Sequence, residues 1–269
     1  MYIGNHSVHT PVNLTQINGI ASLLTSVPVS GSINFKPSAV TSSGIPDSAS
    51  THLANGVPVT ATIHVTNTGN SPVDISVDPR LNQFASLSLA SLYPTTGNLP
   101  INTPVFPQFV VPPFTMALAI AASSTVPVNF DTSSAFGTPD LLSTTGTTAV
   151  ATMHASDVPA SIWSCTPTEI GPGLATSTTY SCGAAAKTRA FDLAVASSTG
   201  NIWSALEGLT GTYAPLILMP GQSGDITVTI TPSGSKGTVV SGFIAVESFS
   251  FVTISSDQLA RIPYTYTIG

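Results

Sequence analysis

The chain has 269 residues, enough for about two domains that each bury a core. Only 6 Lys+Arg and 12 Asp+Glu are present, 7% of the chain against about 25% in an ordinary soluble protein, which excludes charge-laced helices and coiled coil. The net charge of −6 leaves no basic patch for phosphates, and no apolar run approaches the roughly 20 residues of a spanning helix, so neither nucleic acid nor a membrane span is expected.

Polarity comes instead from 36 Ser and 37 Thr, which do not favour helix; Thr favours strands. With 42% hydrophobic residues the chain has material for packed cores, and the expected class is all-β. The Ser/Thr-rich, Lys-poor composition suits an extracellular or cell-surface location. Residues 1–10 lack the basic start and apolar stretch of a secretory signal, so the expectation is a removed signal or a longer parent chain.

Residues 1–56 read as a lead-in segment, with turn formers, a brief apolar run at 17–29 and a loop at 37–56. From residue 57 the pattern changes. Val57, Val59, Ala61, Ile63 and Val65 share one parity while Thr60, Thr62, His64 and Thr66 take the other, the period of two of a half-buried strand. Asn67, Thr68, Gly69 and Asn70 supply a turn, and Val73, Ile75 and Val77 resume the alternation. Further strands are expected at 86–92, 105–111, 115–121, 126–130 and 148–153, and then at 176–181, 202–205, 216–219, 226–230, 239–246 and 262–268. Spacing and turn residues fit sandwiches. A loose likeness between residues 122–130 and 219–228 suggests two related modules, 57–157 and 158–269, with the lead-in packed on the first.

Candidate chemistry is sparse. Cys165 and Cys182 enclose a Gly- and Thr-rich stretch; one disulfide is the economical reading and two buried free thiols the alternative. His6 and His9 have H-x-x-H spacing without a third ligand, His64 interrupts the polar face of a strand, and His154 has no supporting motif; His52 completes the five. Asp74, Asp78, Asp131 and Asp140 lie near strand ends, where a structural calcium would find oxygen ligands, but no D-x-D-x-D-G run exists and turn capping is the simpler role. No catalytic, cofactor or metal residue is therefore assigned. Trp163 and Trp203, with Tyr264 and Tyr266, are candidates for a carbohydrate-stacking platform if exposed, and core aromatics otherwise. Asn5 and Asn13 open glycosylation sequons.

Five segments, VTATIHVTNTGNSPVDISVDPRL at 59–81, ASDVPASIWSCTPTEIGP at 155–172, TRAFDLAVASSTGNIW at 188–203, LILMPGQSGDITVTITPSGSKGTVVSGFIAVES at 216–248 and LARIPYTYTIG at 259–269, carry a family resemblance. Together they resemble the non-catalytic C-terminal region of secreted bacterial subtilisin-like serine proteases. The resemblance implies two tandem immunoglobulin-like and fibronectin type III-like β-sandwiches. It implies no enzyme activity, since the Asp, His and Ser protease motifs are missing. The implied role is an accessory region that supports, tethers or presents substrate to a protease, with the catalytic domain as protein partner. The alternatives are a free-standing surface, adhesin or filament subunit that self-associates through uncharged strands, and a carbohydrate-binding module.

Overall fold

The computed structural model describes residues 39–98, 107–134, 142–158, 160–168, 178–250 and 255–269. In chain order the strands are β1 (Ala39–Ser43), β2 (Asp47–Leu53), β3 (Val59–Thr66), β4 (Val73–Ser88), β5 (Thr96–Asn98), β6 (Gln108–Val111), β7 (Thr115–Ser134), β8 (Leu142–Val158), β9 (Ser161–Thr168), β10 (Thr179–Phe191), β11 (Val195–Ser197), β12 (Leu216–Leu218), β13 (Ser223–Ile230), β14 (Val239–Ser250) and β15 (Ser255–Ile268). Among the described residues there is one short helix, α1 (Ile202–Leu206), between β11 and β12.

The alternation at β3 does what its period requires. Ala61, Ile63 and Val65 turn inward and His64 outward, and β13 beside it buries Ile226, Val228 and Ile230. These strands are the middle of a four-stranded sheet ordered β1-β3-β13-β11. Facing it are β15, β14 and β4, with β2 added along β15 in parallel. Strand for strand, this is the two-sheet order of an immunoglobulin-type sandwich, four strands against three with the first strand split across both sheets. Ile75, Val77, Ile244, Val246, Tyr264, Tyr266 and Ile268 complete the core between the sheets. Each fully buried aliphatic side chain there contributes about 1.5–3 kcal/mol of transfer free energy.

The expected division into tandem modules 57–157 and 158–269 does not describe this arrangement. The sandwich takes β1 to β4 from the first half and β11 and β13 to β15 from the second. Between its third and fourth strands the chain leaves to build a second lobe from the end of β4 through β10. The lead-in also contributes directly, because β1 and β2 lie at 39–53, a stretch that reads as a loop; its exposed Ser and Thr hide the pairing. Residues 1–38 of the expected lead-in lie outside the described residues.

The second lobe is organised by β7. Its first half pairs with β10, its second half with β9, and β8 runs along its other side. The expected strands at 115–121 and 126–130 are thus one strand, with an irregularity opposite β8 between Ser123 and Val128. The core here holds Phe109, Leu118, Ile120, Val128, Phe130, Trp163 and Tyr180. β5 and β12 add short pairings to β10 and β4. The two lobes share strands, since β4 pairs with β14 at residues 75–81 and with β10 at residues 80–88.

Candidate functional site

A disulfide joins Cys165 of β9 to Cys182 of β10. Both cysteines are buried in the second core, so the bond ties together the two strands that pair with different halves of β7. The four candidate stacking aromatics are not a surface platform. Trp163 is in the second core, Tyr264 and Tyr266 in the first, and Trp203 in a third cluster with Val110, Ile202 and Phe249; all four are almost fully buried. The carbohydrate expectation built on their exposure is corrected accordingly.

The calcium candidates do not gather. Asp131 accepts from Asn129 Nδ2 at 3.1 Å, Asp78 is buried in an ion pair, and Asp140 lies outside the described residues, as do His6, His9, Asn5 and Asn13. Among the described residues no three His, Cys, Asp or Glu side chains come within ligating distance of one another. His64 meets Asp225 across β3 and β13 at 2.6 Å on the exposed face, His52 sits in β2 and His154 in β8.

The chemistry-bearing residues that do come together are Asp78 and Trp203, considered above for other roles, with Arg80, Asn201 and Glu247, which the sequence did not single out. Residues 75–80 of β4 are buried on both faces, because one parity fills the sandwich core and the other meets a further layer. On that second face, Asp78 and Arg80 are two residues apart and therefore side by side, while Glu247 lies opposite Ser76 on β14. Arg80 Nε donates to both carboxylate oxygens of Asp78 at 2.8 Å. Nη2 stands 2.7 Å from Oδ2, near enough for ion pairing although not aligned for a hydrogen bond. Nη1 donates to the Arg189 carbonyl at 3.0 Å, and the guanidinium stacks 3.6 Å over the Phe191 ring.

Helix α1 closes the cluster from above. Asn201 caps it, its Oδ1 accepting from the Ser204 N–H at 3.0 Å, while its Nδ2 donates to Asp78 Oδ1. The expected strand at 202–205 is therefore a helical turn, started by this cap and buried through Ile202 and Trp203. Trp203 Nε1 donates to Glu247 Oε2 at 3.2 Å.

Burial, and next the nearby negative charge of Asp78, push the Glu247 carboxyl up to about 8; Arg80 and the bonds from Ser256 and Trp203 oppose this. Burial also raises Glu207 to about 7, against the Ala90 N–H that donates to its Oε2 at 3.2 Å. Glu247 is thus biased toward its protonated form beside the Asp78–Arg80 ion pair. Nearby, Tyr264 donates to Asp192 Oδ2, and burial followed by the Asp192 charge raises its phenol far above the usual range.

These groups are held by one another. The adjoining cavity, lined by Pro79, Phe191, Asp192, Asn201, Ser204 and Thr210, measures about 20 Å³, room for one water. The arrangement fixes the helix, the shared strand β4 and the irregularity of β10 at Arg189–Phe191 in one register.

Comparison with protein-family models and with curated proteins gives no match. Among solved structures the chain is similar to the ASH/PapD-like domain 7 of human CEP192, at 10% identity and TM-score 0.29 over 91% of this chain and 96% of that one. It is also similar to a family 123 glycoside hydrolase from Clostridium perfringens, at 10% identity and TM-score 0.25 over 86% of this chain and 27% of the hydrolase. At these scores neither likeness bears on function, and the fold assignment rests on strand order alone.

Proposed function

We propose that this chain is a non-catalytic β-sandwich module that bears mechanical tension in an extracellular or surface protein, as a support or tether. The observation that carries the reading is the parallel pairing of β2 with β15. Thr265 lies against Asp47 and Ile268 against Leu53, with Gly269 N–H donating to the Leu53 carbonyl at 2.7 Å and Thr265 N–H to that of Pro46 at 2.9 Å. Pulling the chain ahead of β2 and beyond β15 drives these parallel strands past each other, so their hydrogen bonds must break together rather than one at a time. The self-contained charge cluster adds rigidity without offering a reaction centre. Within this reading, the accessory region of a secreted subtilisin-like protease is the setting that the resemblance suggests.

Single-molecule pulling tests it. Force applied through both ends of the chain should unfold the sandwich at a clearly higher force than force applied through cysteines placed at Asn55 and Gly269, which peels the same strands apart. Equal forces would remove the basis for a mechanical role. Hydrolysis of casein, blocked by a serine-directed inhibitor and lost on changing one residue of this chain, would overturn the non-catalytic part.

A further inference from the structure

The net charge conceals how the few cations are placed. All Lys and Arg but Lys36 fall among the described residues, and of these, Arg80, Lys187, Arg189 and Arg261 project from one side of the long sheet, opposite the first core. Arg80 is buried and committed to Asp78. Lys187 and Arg261 are exposed and Arg189 is half-buried. Among the described residues none of these three meets a carboxylate in an ion pair, although the chain has 12 Asp and Glu. Unpaired cations on one face of an acidic protein set up a local field for an anion.

Two of the cations are held in place. The Arg189 guanidinium lies 4.1 Å over the Phe84 ring, and its Nη1 donates to the Asn82 carbonyl at 2.5 Å. Phe114, in the β6–β7 turn, links Arg189 to Arg261. Its carbonyl accepts from the Arg189 N–H at 3.2 Å, and its ring and that of Phe243 lie 5.2 and 4.3 Å from the Arg261 guanidinium. Phe114 has a φ of 64°, a left-handed backbone that bulky residues seldom adopt, so strain is held between the two arginines. A guanidinium fixed on a ring presents a planar fork to a carboxylate with less freedom left to lose.

We propose that Lys187 and Arg189 bind an extended acidic segment of another protein, with Asp or Glu at every second position, and that Arg261 adds to the attraction. The register argues for this occupant. Lys187 and Arg189 lie opposite Ser86 and Phe84 of β4, two residues apart on β10 and therefore about 6.7 Å along the strand. An extended peptide presents alternate side chains at the same interval, so a carboxylate meets each cation without the peptide bending. Ser86, Ser88 and Ala185 beside them are small and exposed, which leaves the approach open. The Phe84 ring is taken by Arg189 and is closed to a stacking sugar. No two Asp or Glu of this chain stand two apart, so neither the chain itself nor a second copy carries the matching segment. This inference is independent of the mechanical reading, and its test uses neither pulling nor peptidase activity.

Fluorescence polarisation of a labelled synthetic peptide, glutamate alternating with threonine, provides the test. The full chain should bind it, more weakly as salt is raised. An isomeric peptide with the same glutamates in one block should bind less well, which gives a readout free of variants. K187Q/R189Q should weaken binding at least about tenfold, and K187Q alone, at an exposed side chain that supports no other group, should weaken it in the same direction. R189K, which keeps the charge but loses the fork, should fall between the wild type and the double variant. Lys236→Gln, in the turn after β13, should change nothing. No binding at low salt, equal binding of the block isomer, or an affinity untouched by K187Q and K187Q/R189Q would overturn the proposal. So would a polyuronate or single-stranded DNA that binds more tightly than the peptide and is lost with the same variants.

Discussion

Replacing Arg80 by Met probes the junction of the two lobes most sharply. Met keeps much of the side-chain length against Phe191 but removes the charge, leaving Asp78, only 1% exposed, with Asn201 as its remaining side-chain partner. Removing one member of a buried ion pair costs about 3–5 kcal/mol, against about 0–1 kcal/mol for an exposed pair. For a chain of this size that corresponds to a fall in Tm of roughly 6–20 °C. Urea unfolding followed by fluorescence is the assay, since Trp163 and Trp203 are both fully buried and report on the second core and on the α1 cluster beside Glu247. D78N/R80M should be less destabilised than the sum of the single changes. A loss below about 1 kcal/mol, or strict additivity, would refute the claim that this pair is a desolvated unit.

Further outcomes follow from the same geometry. Glu247 and Glu207 have folded pKa values of about 8 and about 7, above the ordinary 4.5, so the folded state holds their protons more tightly than the unfolded one. Their contribution is complete below about pH 4.5 and is lost as pH rises through 7 and 8; urea midpoints should fall over that window. E247Q, which cannot ionise, should flatten the decline and surpass the wild type at pH 9. Gly242→Ala should prevent folding or cost more than about 4 kcal/mol, because a Cβ there collides with the Arg80 carbonyl and the Tyr264 phenol; a Tm within 2 °C of wild type would contradict this. Replacing Cys165 and Cys182 together by Ala should lower stability by about 2–5 kcal/mol, most visibly in the fluorescence of Trp163.

What the sequence made legible was local. The alternation in β3 and β13 reports which face is buried, because each strand has one dry and one wet side. Strand β4 defeats the same reasoning at residues 75–80, where both faces are covered and the charged Asp78 and Arg80 look like surface residues. A signal was nevertheless present: two opposite charges at i and i+2 in a strand, within a chain so poor in charge, have a reason to be there. Asn201 three residues before Ser204 was the corresponding hint of a helix cap. The insertion between β4 and β11 was not legible, because it depends on which distant strands pair, and period and turn residues carry no such information.

The mechanical role stands most directly on the direction in which β2 meets β15. Pulled through its two ends, the chain should resist until the β2–β15 hydrogen bonds give way together, at a force well above that for the Asn55/Gly269 attachment. Indistinguishable unfolding forces for the two attachments would contradict it.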